Sequence, residues 1–302
     1  MVGKIERVYQ KGLTLVELLI TLVVMSLIMG GLVAAFISHS WISSAEEARI
    51  DVQQNLRVAT DRLKHALKHA GFGCYNSFDA GYEMTGEDPD GNTVTFNTFI
   101  ADATSEYLTI VYGFKRLGDV DSIEINDNSI LIETDDGKDP SPKLPQSSNG
   151  DNSGVFKDYL SFFPDVEGNI FYKVDYADGK NIYFVEESDI SGFEDYVDDN
   201  EINIYMVSPS KISVNTNGDN SVIYLQNFAY GSAQHWVIAE NITDIQFEYY
   251  VPGQGWKNEP TNDEIENQSI RKIRFTITGE KKVRGEVFSM ESQGEVVLRN
   301  AF

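Results

Sequence analysis

A single carboxylate, Glu17, stands inside a long apolar run near the N-terminus. The run extends from Leu13 to about Ile37, and Glu17 is its one formal charge. As a helix that rises about 1.5 Å per residue, such a run can cross the ~30 Å hydrocarbon core of a bilayer. Because an ionised carboxylate is costly in hydrocarbon, Glu17 needs a partner.

The other residues that could do chemistry form no catalytic arrangement. The sequence has no nucleophile–base pair, no phosphate-binding glycine loop and no Cys/His zinc spacing, so we predict no enzyme and no cofactor. Cys74 is the only cysteine, which excludes an intramolecular disulfide, and we expect it to be buried. His65 and His69 have helical i, i+4 spacing, but no nearby acid or cysteine completes a metal site. We therefore expect no metal, and a solvated helix face there.

Two short segments resemble fragments of calcium-binding loops. Residues 88–92 (Asp-Pro-Asp-Gly-Asn) and, more weakly, residues 215–219 (Asn-Thr-Asn-Gly-Asp) combine oxygen ligands with a glycine. Neither is followed by the Glu that supplies two oxygens at the twelfth position of such a loop. We therefore predict ordinary turns at both places.

The chain is strongly acidic, with a net charge of −23 over 302 residues. Such a surface repels phosphates, so we expect no nucleic-acid partner. Residues 270–284 are an exception with a net charge of +5, from Arg271, Lys272, Arg274, Lys281, Lys282 and Arg284 against Glu280. We interpret this segment as the solvated side of a strand pair. A docking face for an acidic neighbouring subunit is the alternative, and a DNA contact is disfavoured.

The helical pattern continues beyond the apolar run. Apolar residues recur at spacings of three and four, with charged residues between them, which predicts an amphipathic helix that packs on its own chain. The apolar stripe comprises Ala45, Ala48, Val52, Leu56, Ala59, Leu63, Leu67 and Ala70. Gly71 and Gly73 are typical of a helix end, and Gly30-Gly31 is a candidate flexible point. One helix is therefore expected from about Leu13 to Ala70.

The rest of the chain has the pattern of β-structure. Short runs of β-formers are separated by Asn, Gly and Asp clusters. These runs are residues 107–112, 129–132, 170–174, 181–185, 202–205, 222–225, 245–249 and 273–277. Residues 135–154 are predicted to be a mobile surface loop. The fold class is α+β: a long N-terminal helix, with a transmembrane half and an amphipathic half, packed on a mostly antiparallel β head.

The N-terminal motif resembles that of type IV pilins and type II secretion pseudopilins. A short basic leader ends at Gly12, and Leu-Thr-Leu-Val-Glu and an apolar stretch follow. The resemblance implies a class III signal, which a prepilin peptidase cuts after Gly12 before it methylates the amine of Leu13. It also implies that Glu17, the fifth residue of the mature chain, pairs with the terminal amine of a neighbouring subunit. Leu13 replaces the usual Phe and is a tolerated variant.

A finer resemblance, to PilW-type minor pilins and J-type pseudopilins, rests on both ends of the chain. It is carried by residues 55–74, 241–250, 256, 270–278 and 296–300, whereas residues 85–239 show only a β pattern. It implies a minor pilin that serves pilus assembly or priming in a tip complex with other minor and major pilins. The alternatives are a type II secretion pseudopilin and a pilus-borne adhesin or DNA-capture subunit.

The resemblance implies a single pass of the bacterial inner membrane with the head in the periplasm, and later a place in the pilus at the cell surface. The corresponding parts are a leader (1–12), a transmembrane or filament-core half-helix (13–37), an amphipathic half-helix (38–72) and a β-rich head (73–302). An ordinary signal peptide or a plain membrane anchor has a similar start, and Gly30, Ala34 and Ala35 can mimic a cleavage site. Those alternatives leave Gly12 and Glu17 unexplained.

Overall fold

The computed structural model of the chain describes residues 14–74, 83–88, 92–124, 128–133, 159–163, 172–185, 202–217, 220–228 and 235–298. The predicted leader (1–12), Leu13 and the predicted mobile loop (135–154) lie outside the described residues. Within these ranges a long N-terminal helix is followed by mostly antiparallel strands. The α+β fold class is therefore confirmed.

Helix α1 spans Leu15–Lys68, close to the predicted bounds, and it continues without a break through Gly30 and Gly31. All eight residues of the predicted apolar stripe are buried, which confirms the amphipathic pattern. The chain leaves the helix through Gly71, whose φ of 79° favours glycine. The Gly71 N–H donates to the carbonyl of Val111 at 2.8 Å, which ties the helix end to a strand.

The chain divides into two compact units. The first holds α1 up to Asp51 together with Lys282–Phe288, and the second holds Val52–Lys281 and the chain from Ser289 onward. In the first unit, Arg284 Nη2 lies 3.4 Å from Ser40 Oγ, and the Arg49 guanidinium lies 5.5 Å from the centre of the Phe288 ring. The segment 282–288 therefore lies along the helix at these residues.

The described strands overlap every run that the sequence predicted, although residues 170 and 171 lie outside the described ranges. The strands are β1 (Met84–Glu87), β2 (Thr93–Phe96), β3 (Ile100–Ala101), β4 (Leu108–Glu124), β5 (Ser129–Glu133), β6 (Tyr159–Phe163), β7 (Tyr172–Asp178), β8 (Asn181–Phe184), β9 (Asn203–Asn217), β10 (Asn220–Asn227), β11 (His235–Glu240), β12 (Ile242–Val251), β13 (Gly255–Lys257), β14 (Lys272–Val283) and β15 (Glu286–Val297). A short helix, α2, spans Asn262–Glu266.

These strands form three sheets within the described residues. Strands β1 and β2 pair alone, and a four-stranded sheet has the order β13-β12-β14-β15. The largest sheet has the order β11-β10-β9-β6-β7-β8-β5-β4-β3, with an additional pairing of β9 with β4. That extra pairing closes β9, β6, β7, β8, β5 and β4 into a ring.

The main core lies between α1 from Val52 onward and the strands of the second unit. Val52, Leu56 and Leu63 from the helix share this core with Phe247 and Phe275 from the four-stranded sheet. The close approach favours a glycine in β14, because a Cβ on Gly279 would lie only 3.0 Å from Val52 Cγ1 and 3.2 Å from Leu56 Cγ, closer than an ordinary contact. From Val52 onward, the helix thus belongs to the same compact unit as these strands.

A second core fills the closed ring of strands. Its members are apolar side chains that point inward from the ring strands and the residues beside them. They are Leu117, Val120, Ile130, Ile132, Leu160, Tyr172, Val174, Ala177, Ile182, Phe184, Ile202, Ile204 and Met206. The described part of the head therefore has two hydrophobic cores, and the long strands β4 and β9 contribute to both.

Leu63 provides a test of this packing. It is fully buried, and a buried Leu→Ala change typically costs about 2–5 kcal/mol of the free energy of unfolding. We expect a soluble form that lacks residues 1–38 to fold, because the main core begins at Val52. Leu63→Ala in this form should lower the midpoint temperature of unfolding by about 5–15 °C.

The matched control is Val58→Ala on the same helix, because Val58 is 42% exposed and should tolerate the change. The two midpoints are measured by circular dichroism. Equal, small effects of both substitutions would show that the stripe does not hold the head together.

Candidate functional site

Glu17 lies in the first turn of α1, and its side chain is exposed. The backbone N–H and the hydroxyl of Thr14 both donate to Glu17 Oε2, at 3.0 Å and 2.9 Å. In return, the Glu17 N–H donates to Thr14 Oγ1 at 3.3 Å. This reciprocal pattern is a capping box, which satisfies free N–H groups at a helix start.

The capping box holds one oxygen of the Glu17 carboxylate at the start of the helix. Among the described residues, none donates a hydrogen bond to the other oxygen, Oε1, of Glu17. That oxygen can accept a bond from a group outside the chain, such as an amine of a neighbouring subunit. The Thr-x-x-Glu spacing of Thr14 and Glu17 is a sequence signature from which this box could have been predicted. The predicted cleavage residue Gly12 and methylation residue Leu13 lie outside the described residues.

The apolar half of α1 presents a continuous exposed surface. Large apolar side chains from Leu15, which is 80% exposed, to Ile42, which is 52% exposed, face away from the chain. The helix is long and apolar enough to cross a membrane, and its most apolar window has no buried residue. An apolar surface of this extent requires lipid or neighbouring helices to cover it.

Two of the six basic residues in segment 270–284, Lys272 and Arg274, form ion pairs inside the second unit. Arg274 lies 3.4 Å from both Glu248 and Glu295, and its guanidinium lies 3.9 Å from the centre of the Trp256 ring. Lys272 pairs with Glu295 at 3.3 Å. For Lys272 and Arg274, these contacts support the interpretation as one side of a strand pair, because their charges are matched within the sheet.

The possible metal ligands that the structure describes do not assemble into a site. Among the described residues, no group of three or more His, Cys, Asp or Glu side chains could hold a metal ion. His69 Nδ1 lies 2.8 Å from the carbonyl oxygen of His65, so the pair makes local contacts on the helix. The Asn92 N–H donates to Asp88 Oδ1 at 2.8 Å, as in a turn closed by an Asp side chain. Residues 89–91 and 218–219 of the two calcium-like segments lie outside the described residues.

Cys74 is 2% exposed, which confirms the predicted burial. Burial in this apolar setting raises the pKa of the Cys74 thiol well above its usual range, because the thiolate would be poorly solvated. Since the thiolate is the reactive form of cysteine, Cys74 is expected to be inert.

Comparison with known proteins adds one finding. The family model described as the prokaryotic N-terminal methylation motif matches residues 7–33. This range covers the end of the basic leader, Gly12, Leu13, Glu17 and most of the exposed apolar helix. No curated protein and no solved structure matches the chain. The motif and the long apolar helix that carries it support a type IV pilin-like protein, of the pilin or pseudopilin type, that is anchored in the inner membrane.

Proposed function

We propose that this chain is a minor pilin, a structural subunit for the assembly or priming of a type IV pilus within a tip complex of minor pilins. The observation that carries the proposal is the methylation motif at residues 7–33, at the start of a helix whose apolar half is exposed and which packs from Val52 onward in the main core. Such a helix can join a filament core while the head stays folded.

The proposed sequence of events begins in the inner membrane. A prepilin peptidase cuts after Gly12, which removes residues 1–12, and then methylates the amine of Leu13. Residues 13–37 then serve first as the membrane span and later as the filament core. Glu17 pairs with the terminal amine of a neighbour during assembly. In this proposal the head, residues 73–302, faces the periplasm and afterwards the cell surface.

The choice of a PilW-type minor pilin rests on the sequence resemblance at both ends of the chain. A J-type pseudopilin of a type II secretion system would use the same helix and the same processing, so it is the alternative within this family. The partners proposed are therefore the prepilin peptidase, other minor and major pilins and the inner membrane. Loss of the subunit would impair pilus formation in the first case and protein secretion in the second.

Deletion of this chain should reduce surface pili and leave type II secretion unchanged. The surface pili are measured by quantifying filaments sheared from the cells, and secretion is measured from exported proteins in the medium. An epitope-tagged copy should restore the pili and should itself appear in the sheared fraction, in smaller amounts than the major subunit. Loss of secretion with normal pili would instead assign the chain to the secretion machine.

A further inference from the structure

A groove of about 620 Å³ opens on the second unit, beside the last turns of α1. One side is formed by helix residues from Arg62 to His69 and by Phe72, and the other by strands of the largest sheet, including β11. Its volume lies within the ~300–1,000 Å³ that is usual for ligand pockets.

The walls of the groove are apolar and aromatic. Phe72 contacts Tyr205 edge to face, with ring centroids 5.1 Å apart. On the opposite wall, Trp236 is 44% exposed and Val237 is 45% exposed. Both residues belong to β11, which is an outer strand of the largest sheet. The groove thus offers exposed aromatic surface that can hold an apolar side chain of a ligand.

The helix side of the groove carries basic residues, whereas the chain as a whole is acidic. Arg62, His65, Lys68 and His69 line the groove, and the described lining residues include no Asp or Glu. This is unusual in a chain with 47 acidic and 24 basic residues. Lys68 is exposed, and His65 and His69 add ring nitrogens that can form hydrogen bonds.

Arg62 is held in place by the backbone of β11. Its Nη1 donates to the carbonyl oxygens of Val237 and Ile238, at 3.3 Å and 3.0 Å. The β10–β11 register shifts at this point, so the two carbonyls belong to a bulge in the edge strand. The bonds orient the guanidinium at the groove, and among the described residues no carboxylate pairs with it.

We propose that this groove is a docking site for an acidic peptide segment of another protein that carries an aromatic or large aliphatic side chain among its carboxylates. The apolar side chain would lie against Phe72 and Trp236, and the carboxylates would face Lys68 and Arg62. This proposal goes beyond the assembly role and does not depend on it.

Charge favours a short acidic peptide over nucleic acid as the occupant. A nucleic acid carries a charge on every phosphate and extends past the groove, where the surface of a chain with a net charge of −23 repels it. A peptide can confine its carboxylates to the basic side of the groove and bury one apolar side chain in it.

The test uses the full chain in detergent micelles and a fluorescent eight-residue peptide of alternating Glu and Phe. Binding is followed by fluorescence anisotropy, and we expect saturation. Lys68→Glu should weaken binding about tenfold or more, because it reverses a charge at the groove. The control is Lys173→Glu on β7, an exposed lysine outside the groove, which should leave the affinity unchanged.

The contribution of the apolar wall is tested separately. Trp236→Ala should weaken binding about tenfold or more, whereas Trp236→Phe should retain most of the affinity. Circular dichroism shows whether each variant is folded. If Trp236→Ala is not folded, the proposal is tested by Lys68→Glu, because Lys68 is exposed and its replacement should not affect folding.

Four results would overturn the proposal. They are no binding of the peptide up to about 1 mM, equal binding of a Glu/Ala peptide, equal weakening by Lys173→Glu, and tighter binding of an eight-nucleotide oligothymidine. The last result would make the groove a nucleic-acid site.

Discussion

Replacement of Gly12 by valine is expected to leave the whole population as a full-length precursor in the membrane fraction, with an unmethylated N-terminus. The resemblance to pilin signals implies that the peptidase acts directly after Gly12, where a branched side chain would obstruct its access to the peptide bond. Intact-mass spectrometry of the purified protein measures the result, because processing removes residues 1–12 and adds one methyl group.

The matched control is Gly3→Val, which makes the same change in the same leader away from the cleavage site. It should be processed like the wild type. The wild-type mass also tests the alternatives directly. A chain that begins near Ala34 or Ala35 would indicate an ordinary signal peptide, and a chain that keeps residues 1–12 would indicate a plain membrane anchor. Either result would remove the basis for the pilin assignment.

The helix was predictable because its signal is local and long. The period of three to four residues from Ala45 to Ala70 is maintained over seven intervals, and burial follows it at every position. The helix end was also readable, since Gly71 and Gly73 both have positive φ. Strands β12 and β14 were predictable for a similar reason, because 245–249 and 273–277 alternate buried and less buried residues, whereas β13 and β15 were not predicted.

The lengths of the central strands were not predictable from local sequence. The run 107–112 is only the start of β4, which continues to Glu124 through Gly113 and Gly118. Likewise, β9 continues to Asn217 through Pro209, a residue that cannot donate to a ladder and usually marks a strand edge. Pairing of β4 with β9 supports both extensions. Such non-local pairing, which also closes the ring of strands, outweighs local propensity.

The two candidate sites also differ in whether local sequence could identify them. Glu17 could be identified from sequence because a lone carboxylate in an apolar run has no ordinary explanation. The groove could not, because it combines Lys68 and Phe72 with Tyr205 and Trp236, which are far apart in sequence. The basic segment that the sequence did reveal, residues 270–284, lies elsewhere, and there Lys272 and Arg274 are paired with acidic residues.

The capping box makes Glu17→Gln a selective probe of charge. Glutamine at the third helical position can form the same capping box as glutamate, so the bonds between Thr14 and residue 17 can persist after the change. The helix start should therefore survive, and so should cleavage after Gly12 and membrane insertion. What the substitution removes is the negative charge offered to an amine outside the chain.

We therefore expect the Glu17→Gln subunit to be processed normally but to be lost, or strongly reduced, in complexes with other pilins. An amine next to a carboxylate in an apolar filament core offsets the desolvation of both groups and fixes the axial register between subunits, whereas an amide leaves the amine unpaired. The measurement is co-purification with partner pilins from sheared filaments or a detergent-solubilised complex. The control is Glu47→Gln, an exposed carboxylate further along the same helix, which should co-purify like the wild type. If Glu17→Gln co-purifies equally well, the carboxylate serves the helix cap or peptidase recognition, or the subunit occupies the tip without a neighbour above it.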